Sequence, residues 1–168
     1  MRKCIIAVAV ALGFAVPAAA DDNLARFKGG IGVIPVSSGQ GTAATATVVN
    51  RNIVRGVQPA GQIWVIEDLR ADVKADGSIT VDGRGLLLGG GNNIGFNANA
   101  KVFATLICEA AAPFTERSTT LAGVALEAGG DFRIDDVLSS VPAECASPVL
   151  LIRNAANQAW FAAGIPKQ

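Results

Sequence analysis

The chain has no histidine and no tyrosine among its 168 residues, and its single methionine is Met1. The missing histidine excludes the largest number of enzyme mechanisms, because imidazole is the usual general base of Ser-His-Asp and Cys-His hydrolases. Its absence also excludes histidine-based zinc, copper and non-haem iron sites. We therefore predict no catalytic residue of these kinds and no cofactor, and we favour a protein that is not an enzyme.

Blocks of one charge are also missing. The 14 basic and 14 acidic residues are scattered, and loss of Arg2 and Lys3 with the leader described next leaves 12 basic residues and a net charge of −2. A nucleic-acid interface needs a basic patch, and an anionic membrane attracts lysine clusters. Beyond the leader no apolar run is long enough to cross a bilayer. We expect no nucleic-acid partner and no membrane span in the mature chain.

Residues 1–20 have the pattern of a secretory signal peptide. A basic start and an uncharged apolar run over residues 4–16 precede small residues at 17–20. The apolar run is shorter than the roughly 20 residues of a membrane span, and this order is that of a leader cleaved after Ala20. We predict a secreted or periplasmic protein of bacterial type, with residues 21–168 forming a single domain.

Cysteine usage agrees with export. Cys4 would leave with the signal peptide, so Cys108 and Cys145 remain as an even pair. In an oxidising compartment such a pair predicts a disulfide, which stabilises the fold by roughly 4 kcal/mol in the loop-entropy model. A redox-active pair is the alternative, but no Cys-x-x-Cys spacing lowers the pKa of either thiol.

Short runs of Val, Ile, Thr and Leu separated by turn residues predict strands rather than helices. Residues 62–73 alternate apolar and polar side chains, as a strand with one buried face does. Glu67 interrupts the apolar set, which indicates an edge position or a bulge there. Asp76-Gly77 then predicts a hairpin turn into a return strand over residues 78–88. Roughly eight to ten short strands predict an all-β fold, a single-domain antiparallel β-sandwich, with a small antiparallel β-barrel as the alternative.

The same turn is a weak candidate for calcium binding. Asp72, Asp76 and Gly77 match positions one, five and six of a calcium-binding loop. Lys74 places a positive charge at the third position, and Gly83 stands where the bidentate acid belongs. Because strands rather than helices flank the loop, the hairpin explains these residues better.

Carboxylate catalysis is a second candidate, because glycosidases use two acids that face each other across a cleft. Neighbouring acids on a strand point to opposite faces, so a pair would have to converge from different strands. The available acids are Glu67, Asp68, Asp82, Asp135 and Asp136.

The two tryptophans, Trp64 and Trp160, are candidates for a ligand surface, because exposed rings on a β-sheet can stack on sugars. Buried tryptophans are more common and hold sheets together, so we favour a core position for at least one of them.

These patterns together favour an exported, non-catalytic binding or structural module. Its partner would be another protein, a surface polymer or a second copy, recognised through strand edges and glycine-rich loops. An exported hydrolase that uses carboxylates and a calcium-stabilised extracellular module are the alternatives.

Overall fold

The computed structural model describes residues 22–40 and 48–167. The predicted signal peptide and its cleavage point after Ala20 lie outside these residues. The described part of the chain consists of strands and turns, without a helix. The strands are β1 (Asn23–Gly32), β2 (Val36–Gln40), β3 (Val48–Arg51), β4 (Trp64–Val65), β5 (Asp68–Lys74), β6 (Ser78–Arg84), β7 (Leu87–Leu88), β8 (Lys101–Ile107), β9 (Arg117–Ser118), β10 (Val124–Ala125), β11 (Phe132–Val137), β12 (Val149–Asn154) and β13 (Trp160–Pro166).

A nine-stranded antiparallel sheet carries the fold. Its order is β10-β8-β12-β13-β1-β5-β6-β11, and β9 pairs with β8 beside this path. The sheet curls into a half-barrel. Two short ladders, β2–β3 and β4–β7, complete the described strands. The predicted all-β antiparallel class is confirmed.

Hydrogen bonds join the two ends of the curled sheet. The Ser139 N–H, just after β11, donates to the carbonyl of Ser118 in β9 at 2.8 Å. The Thr120 N–H, just after β9, donates to Oδ2 of Asp136 in β11 at 2.8 Å. Such bonds satisfy backbone groups that an open sheet edge leaves unpaired. The architecture therefore lies closer to the small barrel considered above than to two sheets stacked face to face.

The predicted hairpin turn between β5 and β6 is confirmed, but the return strand predicted over residues 78–88 is wrong beyond Arg84, where β6 ends. β7 pairs with β4 instead. Val73 lies opposite Ile79 across the two strands, and Gly77 adopts the positive φ of +88° that the turn requires. Oδ1 of Asp76 accepts a hydrogen bond from the Ser78 N–H at 2.8 Å. Local turn chemistry thus sets the register of this pair.

The strand predicted over residues 62–73 is in fact two strands, β4 and β5, with a break at Glu67. The Glu67 N–H donates to the Arg84 carbonyl at 2.9 Å, whereas β4 pairs with β7. The break lets β4 lie against β1, where a Cβ on Gly32 would come within 2.1 Å of the Trp64 carbonyl oxygen. Only glycine permits so close a backbone approach.

The hydrophobic core collects side chains from both halves of the sheet. Leu69 and Val81 come from β5 and β6, Leu106 from β8, and Leu150 and Ile152 from β12, and all five are fully buried. Burial of each such side chain contributes roughly 1.5–3 kcal/mol. The core is therefore shared by strands that are distant in sequence.

The predicted disulfide is confirmed. Cys108, which follows β8, is bonded to Cys145 in the loop before β12, across a sequence separation of 37. The Ser147 N–H donates to the Cys108 carbonyl at 3.1 Å, so backbone and disulfide fasten the same loop. A disulfide is typical of an oxidising compartment, which is compatible with a periplasmic or extracellular location.

Candidate functional site

A charged cleft of about 480 Å³ lies on the exposed face of β5, β6 and β11. Oδ2 of Asp68 lies 3.2 Å from Nε of Arg70, and Oδ1 of Asp82 lies 2.6 Å from Nη1 of Arg133. Arg70 and Asp82 are also directly opposite each other across β5 and β6. Acids and arginines thus alternate across three strands. The cleft is lined by Asp68, Arg70, Asp82, Gly83, Arg84, Glu127, Asp131, Phe132 and Arg133.

Two of the five candidate catalytic acids, Asp68 and Asp82, line this cleft, and each is paired with an arginine. Asp135 extends the network, with Oδ2 3.8 Å from Nη2 of the same arginine that holds Asp82. Glu67 is not among the lining residues, and Asp136 lies at the junction of the sheet ends. The arrangement is that of a solvated ion-pair face, where each pair contributes little free energy.

The calcium candidates have protein partners. Oδ1 of Asp76 accepts hydrogen bonds from the Ser78 hydroxyl at 2.7 Å and from its N–H at 2.8 Å. These two bonds, the hydroxyl first, hold the pKa of Asp76 below its ordinary value. Oδ1 of Asp72 lies 3.3 Å from Nε of Arg26. Among the described residues, no group of three or more histidine, cysteine or acidic side chains is placed to hold a metal ion.

Both tryptophans are buried, Trp64 with 4% and Trp160 with 3% of its surface exposed. The Trp64 ring stacks on Phe161, with centroids 3.8 Å apart and planes inclined by 14°. The Trp160 Nε1–H donates to the Asn52 carbonyl at 3.0 Å. So little exposed ring leaves no face on which a sugar could stack, and burial favours the core interpretation for both residues.

A second cavity, of about 500 Å³, borders the Trp64–Phe161 pair. Its accessible apolar wall includes Leu121, which is 51% exposed. Asn99 and Lys101 are among its polar residues. The cavity is therefore a shallow, mostly apolar depression rather than an aromatic binding face.

The ladder of β2 and β3, which we call the ribbon, pairs only with itself within the described chain. At its base the Asn52 N–H donates to the Pro35 carbonyl at 3.0 Å. Val36 and Val49 are 39% and 52% exposed. β2 continues through Gln40.

Most of the ribbon lies in a segment without charge, and Arg51 at the end of β3 is its one charged residue. From residue 29 to residue 50 the sequence contains no lysine, arginine, aspartate or glutamate. Charged side chains on strand edges are a common device against unwanted pairing, and this segment lacks them. The uncharged run was visible in the sequence, but its meaning depends on the isolation of the ribbon, which the sequence does not reveal.

The segment between β8 and β9 is held by one carboxylate. Oε2 of Glu109 accepts a hydrogen bond from the Thr115 N–H at 3.1 Å, and Oε1 lies 2.9 Å from Nη1 of Arg117. The Thr115 bond and, to a lesser extent, Arg117 lower the pKa of Glu109 from 4.5 to about 2. Glu109 is therefore ionised over nearly the whole accessible pH range.

Comparison with protein-family models, curated proteins and solved structures finds no match to this chain. Within the described residues, no helix is long and apolar enough to cross a membrane. Function is therefore inferred from the residues and their geometry.

Proposed function

We propose that this chain is an exported, non-catalytic binding or structural module that joins a partner protein by β-strand addition through the ribbon. In β-strand addition, backbone hydrogen bonds supply affinity, and alternate side chains supply specificity. The observation that carries the proposal is the ribbon itself, a two-stranded ladder that joins no larger sheet in the described chain.

Isolation of the ribbon matters because a lone two-stranded hairpin is only marginally stable in water. Pairing with a further strand would bury its exposed valines and satisfy the hydrogen-bonding groups along its edge. The ends of the main sheet are different, because the Thr120–Asp136 and Ser118–Ser139 bonds already occupy them. Of the strand edges described, the ribbon is the one best suited to a partner.

The low charge of the ribbon, whose one charged residue is Arg51 at the end of β3, supports the same role. An approaching strand meets no fixed charge between residues 29 and 50, so pairing along this part of the ribbon requires no desolvation of an ionised side chain. Val36 and Val49 offer apolar contacts on the ribbon surface. The signal-peptide pattern and the Cys108–Cys145 disulfide support the exported part of the proposal.

The ion-paired cleft supports a non-catalytic role over the hydrolase alternative. Asp68 and Asp82 each have an arginine within 3.2 Å. Cross-strand charge pairs of this kind are a normal feature of exposed sheet faces.

A pull-down with matched charged variants tests the proposal. The mature chain serves as bait for proteins of the source's own cell envelope and medium, beside Val49→Lys in the ribbon and Val137→Lys on β11. Both valines are exposed, at 52% and 57%, so both variants should fold. We expect a protein that wild type and Val137→Lys retain and Val49→Lys loses, with ribbon amides protected from hydrogen exchange in the complex. The proposal would be overturned if all three baits retained the same proteins equally, or if no bait retained any protein.

A further inference from the structure

Arg153 is the only charged residue that the fold buries within the described chain. It lies at the end of the apolar strand β12, and its Nε donates to the Gln158 carbonyl at 2.7 Å. Its Nη1 donates to Oγ1 of Thr105 at 3.3 Å and to Oε2 of Glu116 at 2.5 Å. The guanidinium carbon lies 5.3 Å from the centre of the Phe103 ring. Four contacts therefore fix this side chain.

The partners of the ion pair are unequally buried. The side chain of Arg153 is 6% exposed and that of Glu116 is 44% exposed. Glu116 belongs to the surface segment between β8 and β9, so its carboxylate can turn towards solvent while the guanidinium stays in place. A buried guanidinium needs an anionic partner, and here the partner, the Glu116 carboxylate, is the group that can move away into solvent.

Glu116 uses only half of the guanidinium fork. A carboxylate can accept two parallel hydrogen bonds from arginine, but Glu116 contacts Nη1 alone. Nη2 makes no hydrogen bond within the described residues, although every fully enclosed side-chain nitrogen and oxygen there has a partner. Nη2 is therefore not completely enclosed, within a side chain that is 6% exposed.

A cavity of about 250 Å³ lies at this point. Oγ of Ser139 accepts a hydrogen bond from the Ser118 N–H at 3.2 Å, so the hydroxyl hydrogen of Ser139 is available to a ligand. Arg153 is the only cation in the wall and Glu116 the only anion. The lining residues are Glu116, Ser118, Thr119, Leu121, Ser139, Arg153 and Gln158.

We infer that this cavity is a binding site for a small carboxylate ligand, and that Glu116 is its internal occupant. A ligand carboxylate displaces Glu116 and accepts hydrogen bonds from both Nη1 and Nη2 of Arg153, with the Ser139 hydroxyl as a further donor. Glu116 itself shows that a carboxylate fits against the guanidinium. The site does not include any residue of the ribbon. A failure of this inference would therefore leave the proposed function unaffected, and the reverse also holds.

Titration with acetate tests the site on the full mature chain. The Nε–H resonance of Arg153, assigned through its proximity to Gln158, is followed by NMR against chloride at equal ionic strength. Because a tethered competitor has a high effective concentration, Glu116→Gln should bind acetate at least about tenfold more tightly than wild type. Glu127→Gln makes the same charge change at an exposed position in the other cleft and should bind like wild type.

Ser139→Ala in the Glu116→Gln background gives a second measurement that leaves the buried arginine untouched. We expect acetate binding to weaken about threefold while the protein remains folded. Equal acetate affinities for Glu116→Gln and Glu127→Gln, or no saturable shift in any variant, would overturn the inference and leave the Arg153–Glu116 pair as a structural tie. An unchanged affinity in Ser139→Ala would also contradict the proposed mode of binding.

Discussion

Oδ2 of Asp136 accepts a hydrogen bond from the backbone N–H of Thr120 at 2.8 Å, and this contact joins strands at opposite ends of the curled sheet. Removing the acceptor leaves that N–H without its partner. We expect Asp136→Ala to lower the free energy of unfolding by about 1 kcal/mol in urea denaturation. Asp135→Ala, on the exposed face of the same strand, should change it by less than about 0.5 kcal/mol. Equal effects would show that the junction does not stabilise the fold.

Acid should weaken the fold through Glu109. Its pKa is about 2 in the folded chain against an ordinary value of 4.5, so folding favours its ionised form. This stabilisation is fully present above about pH 4.5 and is lost as the pH falls through about 2. Unfolding free energies measured between pH 5 and pH 2 should therefore fall less steeply for Glu109→Gln than for wild type. Parallel curves would contradict the assignment.

The pKa of Asp136 is lowered as well, first by the Thr120 N–H and then by the Val137 N–H. Part of the acid sensitivity should therefore remain in Glu109→Gln. The remaining dependence of the unfolding free energy on pH should shrink further when Asp136→Asn is added. The two steps measure the contributions of Glu109 and Asp136 separately.

Loss of the disulfide should destabilise the protein without unfolding the core strands. Cys108→Ala/Cys145→Ala frees a loop with a sequence separation of 37, and the loop-entropy model gives a loss of roughly 4 kcal/mol. Urea denaturation of the double variant and of the oxidised wild type measures the difference. Alkylation of two thiols in the unreduced native protein would refute the bond itself.

Trp64 should behave as a core residue. Because it is 4% exposed and stacked on Phe161, we expect Trp64→Ala to cost about 3–5 kcal/mol of stability. Trp160→Phe keeps most of the buried ring but loses the Nε1 hydrogen bond to Asn52, and should cost about 1 kcal/mol. A ligand-facing tryptophan would instead leave the urea midpoint nearly unchanged.

Calcium should leave the melting temperature unchanged. The Asp76 carboxylate accepts two bonds from Ser78, and Asp72 is paired with Arg26. Thermal melts in millimolar calcium and in chelator should therefore coincide. A midpoint that rises with calcium and falls with chelator would restore the calcium-stabilised module as an interpretation.

The sequence sufficed where the determining interactions are local. The β5–β6 hairpin follows from alternation and from the turn chemistry of Asp76 and Gly77, all within a few residues. The disulfide could be predicted from the number of cysteines, because Cys108 and Cys145 are the only two left once Cys4 is removed with the predicted signal peptide. The sequence indicates an irregularity at Glu67, but the division into β4 and β5 could not be predicted, since it depends on the approach of β4 to Gly32, which is distant in sequence.

The candidate sites were harder to predict for the same reason. The burial of Trp160 involves a hydrogen bond to Asn52 across a sequence separation of 108. The pairing of Arg153 with Glu116 spans 37, and no local pattern marks either residue. Isolation of the ribbon is likewise a property of the whole topology.

The placement of β1 between β13 and β5 has a consequence for how the molecule is made. Phe27 lies opposite Pro166, and Gly30 lies opposite Gly164, so the middle of the sheet forms only once both β1 and β13 have been synthesised. Contacts this distant in sequence slow folding, because the entropy of loop closure is lost before the contact forms. A growing chain therefore holds β1 without one of its two neighbouring strands until residues 160–166 have been made.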